Sequence, residues 1–82
     1  MPGDPPKFPA EELRAVARDD REAHRHIDAL HRELGSDHPT REAIDEHVGA
    51  LRKRAPIGAI VANWFDDPRT QIFINEIVQA GL

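Results

Sequence analysis

Histidines are the residues of this sequence best suited to chemistry, because there are five of them in 82 residues. His24, Asp28 and His31 stand at i, i+4 and i+7, a spacing that brings them to one face of a helix. Zinc or a non-haem metal binds two imidazoles and a carboxylate at about 2.0–2.2 Å. An antiparallel second helix would bring His47 to the same level. A metal site is therefore one hypothesis, and hydrated side chains making i, i+4 contacts are the other.

Asp20 is a carboxylate in a row of positions that are otherwise apolar. The row, called the seam below, alternates steps of three and four, which is typical of a helix packed lengthwise against another helix. Its members are Leu13, Val16, Asp20, Ala23, Ile27, Leu30 and Leu34. A buried carboxylate without a partner is costly. Asp20 is thus expected to behave in one of two ways. Either it forms a pair that selects the register or the partner of the helix, or it lies where the seam is loosely packed and open to water.

A third cluster of charge is the basic triplet Arg52-Lys53-Arg54. Basic residues complement the negative end of a helix dipole, and no interleaved aromatic residues are present to stack on bases. The chain has a net charge of −4, which argues against binding to a phosphate backbone. It has no cysteine, one serine and five scattered glycines, so neither a thiol nucleophile nor a phosphate-binding loop is indicated. We expect no enzyme and no cofactor.

The seam predicts one long amphipathic helix that begins near Pro9 or Ala10 and runs to Leu34. Gly35 is a typical residue just beyond a helix C-terminus. A shorter second helix is predicted after Pro39, over residues 40–55, by apolar residues at steps of four, three and four. These are Ile44, Val48, Leu51 and Ala55. The short connection makes the two helices an antiparallel hairpin.

The C-terminal third predicts two short helices that close the hairpin. Apolar residues at helical spacing occur over 57–65 and again over 73–78, and Asp67-Pro68 is typical of an N-cap followed by the first helical residue. Trp64 and Phe65 are interpreted as core, with an exposed docking patch as the alternative. The competing fold has a β-hairpin, with strands over 60–65 and 71–78. We predict the all-α fold because neither segment alternates strictly.

Residues 1–8 are predicted to be a flexible tail, since Pro2, Pro5 and Pro6 fall among them without any helical pattern. Residues 9–82 then form a single helical domain. No apolar run approaches the roughly 20 residues that a spanning helix needs. The expected location is the cytoplasm, without membrane association.

The expected function is that of a self-associating protein–protein interaction module. The second helix is shorter than the first and covers its Ala23–Leu34 half, so Leu13 and Val16 need another partner. A homodimer in which either the seam or the region 64–78 completes a bundle would provide one. A separate protein partner is a further possibility. The alternatives are a metal-binding protein that uses the histidine face, and a small accessory subunit of a larger enzyme.

Overall fold

The computed structural model describes residues 5–80 and contains five α-helices. They are α1 (Ala10–Ala17), α2 (Arg21–Leu34), α3 (Arg41–Arg52), α4 (Ile57–Phe65) and α5 (Pro68–Ala80). The all-α prediction is confirmed, and so are the two C-terminal helices. Over the described residues no β-strand occurs, so the alternative β-hairpin is not supported. None of the helices in this range is both long enough and apolar enough to cross a bilayer.

The prediction of one continuous helix from Ala10 to Leu34 is wrong, because the chain breaks between α1 and α2. Arg18 has a φ of 51°, outside helical geometry. Asp20 then caps α2 by accepting a hydrogen bond from the backbone N–H of Ala23, at 3.1 Å. The first segment folds back, so that Arg14 of α1 forms an ion pair with Asp28 of α2 at 2.7 Å. The expected rod is therefore two shorter helices side by side.

Helices α2 and α3 pack together and run in opposite directions. Three contacts occur in reverse chain order along them: Glu33 with Thr40, His26 with His47, and Asp20 with Arg54. The turn between the helices begins at Gly35, as its sequence predicts, and Thr40 caps α3 by accepting from the N–H of Ala43. Local capping chemistry thus sets both ends of this connection.

Prolines begin both C-terminal helices. Pro56 precedes α4 after a cis peptide bond from Ala55, and Pro68 is the first residue of α5. The Asp67 carboxylate accepts from the backbone N–H of Arg69 at 2.9 Å, in keeping with the predicted cap. Helix α4 packs on α1 and α3, and α5 packs on α3 and α4.

A single apolar core joins all five helices. Its buried members are Ala10, Leu13, Ala17, Ala23, Ile27, Leu30, Ile44, Val48, Leu51, Ile57, Val61, Trp64 and Ile74. Each fully buried Leu or Ile contributes about 1.5–3 kcal/mol. Four seam residues, at positions 13, 23, 27 and 30, are completely buried within one chain. Intramolecular packing therefore uses most of the seam.

The segment before α1 lies against the domain over the part that the structure describes. The ring of Phe8 packs on Trp64 with 5.0 Å between ring centroids, and Trp64 Nε1 donates to the carbonyl of Pro6 at 3.3 Å. The predicted flexible tail included these residues, whereas the structure places Pro5–Phe8 on the surface of the core. Pro2 and the rest of residues 1–4 lie outside the described range.

Candidate interaction surface

The outer face of α5 is the most apolar exposed feature of the described chain. Ile72 is 59% exposed, and it is the single exposed large hydrophobic residue within 5–80. Helical spacing places four further residues on the same side. This set, called the outer stripe, comprises Arg69, Ile72, Phe73, Glu76 and Ala80. Ile72 and Phe73 form the apolar centre of the stripe, Arg69 is the basic residue at one end, and Glu76 is the acidic residue toward the other end.

The opposite side of α5 attaches the helix to the domain. Thr70 and Ile74 are completely buried there. Along one edge, Arg41 of α3 donates to Gln71 Oε1 at 2.8 Å and to Asn75 Oδ1 at 3.1 Å. Gln71 Nε2 in turn donates to the carbonyl of Phe65 at 2.6 Å. These contacts fix the rotation of α5 about its axis and thereby keep the outer stripe toward solvent.

The beginning of α5 has a fixed charge pair. Arg69 donates through Nε and Nη2 to the Asp67 carboxylate, at 3.2 and 2.8 Å. The Arg69 side chain, and then its backbone N–H, lower the pKa of Asp67, and Asp67 raises the pKa of Arg69. A guanidinium has five N–H donors. Arg69 can therefore donate to a second carboxylate while it holds Asp67.

An aromatic groove lies beside the outer stripe and shares Phe73 with it. Its volume is about 420 Å³, and its lining is Pro5, Pro6, Lys7, Phe8, His31, Leu34, Trp64 and Phe73. Trp64 is buried, as its sequence pattern predicts, and Phe8 completes the wall from the other side. The groove extends the apolar surface of α5 toward α2 and the N-terminal segment.

The predicted metal face does not assemble. His24 Nε2 is 2.8 Å from the carbonyl oxygen of Arg18, Asp28 pairs with Arg14, and the ring of His31 lies 5.8 Å from that of Phe8. His47 contacts His26 instead of these residues. Within residues 5–80 no group of three or more His, Cys, Asp or Glu side chains is placed to hold a metal ion. The three side chains keep their helical spacing within α2, but the segment that precedes α2 folds back onto them and gives each one a different partner.

Asp20 is paired, which is one of the two alternatives that the sequence leaves open. One carboxylate oxygen accepts from Ala23, and the other accepts from Arg54, which also pairs with Glu22 at 2.9 Å. The Ala23 hydrogen bond lowers the pKa of Asp20 most, partial desolvation opposes it, and Arg54 lowers it further. Arg54 thus ties the end of α3 to the start of α2. Arg52 likewise pairs with Asp66.

Two imidazoles that the sequence did not single out as a pair meet between α2 and α3. His26 Nδ1 lies 3.1 Å from His47 Nδ1, and both side chains are half-buried. Ile72, Phe8 and His26 are the surface residues that sequence reasoning missed. For Ile72 a signal exists, because Ile72, Phe73 and Ile74 are three successive apolar residues and one buried stripe cannot take them all. The contact between His26 and His47 has no such local signal.

No family model matches this chain, and no curated protein or solved structure shows significant similarity to it. The function is therefore argued from the residues of the outer stripe and its surroundings.

Proposed function

We propose that this protein is a self-associating interaction module that forms a homodimer through the outer stripe of α5. The observation that supports it most directly is the exposure of Ile72 at the centre of a stripe with opposite charges on its two sides. Contiguous exposed apolar surface marks interaction sites in proteins, and Ile72 is continuous with the half-buried Phe73 and the aromatic groove beside it. The occupant that fits the stripe best is a second copy of the same helix.

Charge complementarity is the reason for choosing a second copy. In a two-fold dimer the same patch meets itself, and two α5 helices crossing on the axis run antiparallel. Let the two-fold axis pass between Ile72 and Phe73. Arg69 then lies three and a half residues before the axis along α5, and Glu76 lies three and a half residues after it. Arg69 of one copy then faces Glu76 of the other, twice per dimer. Ile72 of each copy packs on Phe73 of the other.

The apolar contacts supply most of the expected affinity. Ile72 is 59% exposed, so burial of its exposed part is worth about 1–2 kcal/mol per copy, and two-fold symmetry counts it twice. Exposed ion pairs contribute about 0.2–1 kcal/mol each and chiefly set the register. The aromatic groove adjoins the stripe through Phe73, so the interface can extend toward Trp64 and Leu34. Of the two regions expected to form the dimer, the proposal uses the C-terminal one, since most of the seam is buried in the core.

Sedimentation equilibrium of the wild-type protein and of Ile72→Glu tests the proposal. We expect the wild type to dimerise at micromolar to tens of micromolar concentration. Ile72→Glu should remain monomeric at a concentration about 100-fold higher, because it removes two apolar contacts and introduces two buried charges. The exposed position of Ile72 predicts that the variant folds with an unchanged circular dichroism spectrum.

Ala15→Glu provides the matched control, because Ala15 is an exposed residue of α1 away from the outer stripe. It should dimerise like the wild type. A wild-type protein that is monomeric at 100-fold higher concentration, or an Ile72→Glu variant that dimerises normally, would refute the proposal. A cytoplasmic location remains part of the same proposal, supported by a sequence without cysteine.

A further inference from the structure

We propose that His26 and His47 form a two-histidine site for a divalent transition metal, with zinc as the test ion. The site lies between α2 and α3 and excludes the three residues of the predicted metal face on α2. It is independent of the outer stripe, because neither histidine belongs to α5. Imidazole nitrogen is a preferred donor for zinc and nickel.

The distance between the two nitrogens suits a chelate. His26 Nδ1 and His47 Nδ1 are 3.1 Å apart. Two nitrogens that each bind zinc at about 2.0–2.1 Å at a tetrahedral angle are separated by about 3.3–3.4 Å. In such a chelate each N–Zn direction lies about 35° from the line that joins the two nitrogens. Binding therefore requires both an increase of a few tenths of an ångström in their separation and a rotation of the rings that turns the two Nδ1 atoms toward one ion.

The two helices that bear the histidines are fixed relative to each other. On one side of the pair, Arg54 joins the end of α3 to Asp20 and Glu22. On the other side, the N–H of Thr40 donates to the Glu33 carboxylate at 2.8 Å. The histidines lie between these two connections. Because these connections already hold the two helices together, metal binding has a smaller entropy cost for ordering its ligands.

The protonation states also allow the change. In the metal-free pair, one Nδ1–H donates to the lone pair of the other Nδ1. When both Nδ1 atoms bind the ion, the donor ring carries its proton on Nε2 instead. Each imidazole then remains neutral with one N–H, and no proton is lost. Both rings are half-exposed, so water can complete the coordination shell from the solvent side.

Isothermal titration calorimetry with Zn²⁺ is the test, combined with nitrogen-15 NMR of the imidazole rings. We expect one site per chain, with zinc-dependent shifts at Nδ1 of both His26 and His47. His26→Gln and His47→Gln should each weaken zinc binding at least about tenfold, because even supporting groups around a metal are worth 10–100-fold. Gln keeps a polar side chain at each position, and circular dichroism checks that the variants fold.

His24→Gln and His31→Gln are the matched controls, since both are histidines of α2 outside the pair. Their zinc affinity should stay within about twofold of the wild type, well below the loss expected for a ligand. Zinc binding that survives in the His26→Gln, His47→Gln double variant would overturn the proposal. A loss of equal size in the control variants would overturn it as well, and so would an absence of zinc binding by the folded wild type.

Discussion

Thr70 is buried on the inner side of α5, and its hydroxyl oxygen has no hydrogen-bond partner within the described chain. An unsatisfied buried polar group costs about 1–3 kcal/mol. Thr70→Val replaces the hydroxyl with a methyl group of similar size. We expect the variant to raise the free energy of unfolding by about 1 kcal/mol, measured by urea denaturation. A destabilised variant would show that the hydroxyl makes a favourable interaction.

Asp20 gives the protein a predictable dependence on pH. Its pKa in the folded state is lowered, so folding favours the carboxylate. The resulting stability is present above the unfolded pKa of about 3.9 and is lost as the pH falls through the folded value. Asp20→Asn keeps a cap acceptor but loses the charge. The wild type should be more stable than this variant at pH 7, and the difference should be smaller at pH 3, which is below the unfolded pKa of about 3.9.

Urea denaturation at pH 7 and at pH 3 measures that difference. Asp19→Asn, on the exposed neighbouring residue, is the matched control for an Asp→Asn change at this surface. An Asp20→Asn difference that persists unchanged at low pH would contradict the charged carboxylate of Asp20, stabilised by the Ala23 N–H and by Arg54, as its source.

The role of Asp20 shows what a sequence pattern leaves open for a single residue. The steps of three and four assign Asp20 to the seam, while its side chain is equally suited to cap a new helix. Both interpretations predict a paired carboxylate, but they place it in different structures. The backbone φ of Arg18 distinguishes the two interpretations, because its value of 51° breaks the helix before Asp20. No pattern of side chains in the sequence reveals this angle. The choice depends on α1 packing back onto α2.

At the scale of elements, the approach of α4 to the end of α3 depends on Gly58. A Cβ atom at this position would overlap the backbone carbonyl of Arg52, while a Cβ at Gly49 in α3 would meet nothing within 4 Å. Gly58→Ala should therefore lower the free energy of unfolding by about 1–3 kcal/mol. Gly49→Ala, the matched control, should raise it by up to about 1 kcal/mol, since alanine favours the helix.

Urea denaturation of the two glycine variants provides the comparison. Equal effects of the two substitutions would contradict the close packing of α4 against Arg52.

Helix boundaries with strong local signals were predictable, whereas the break at Arg18 was missed and the helix predicted over 40–55 ends at Arg52. Gly35 after α2, Pro56 before α4 and Pro68 at the start of α5 stand where the sequence places them. The arrangement of the elements was less accessible. Pro5–Phe8 was assigned to a flexible tail from its prolines alone, whereas its position in the structure depends on Trp64, which lies far along the chain.

At the scale of the whole molecule, one chain closes its own core and leaves the outer stripe exposed. Leu13, Ile27 and Leu30 are completely buried in the monomer. Self-association was predicted for the seam or for the region 64–78, and the proposal assigns it to α5, which overlaps the second of these. The sequence could not decide between these surfaces, because the surface left over is known only once the five helices are packed. In the proposed dimer, the contact between the two α5 helices forms between monomers that are already folded.

Reversal of charge at the two ends of the stripe tests the antiparallel register of the proposed dimer. Arg69→Glu alone puts two pairs of acids in contact, and Glu76→Arg alone puts two pairs of bases in contact. Each should weaken homodimerisation roughly tenfold at low salt, or about 1.4 kcal/mol. Glu46→Arg, on the exposed side of α3, is the control for added positive charge and should dimerise like the wild type.

The most direct measurement is native mass spectrometry of an equimolar mixture of Arg69→Glu and Glu76→Arg. One chain then presents two acids and the other two bases, so both intermolecular ion pairs form again in the mixed dimer. We predict that the heterodimer predominates over both homodimers. Loss of the Asp67 contact in Arg69→Glu cannot produce this preference, because two such chains are present on each side of the exchange of one dimer of each variant for two heterodimers. A statistical mixture, or no dimer of any kind, would contradict self-association through α5.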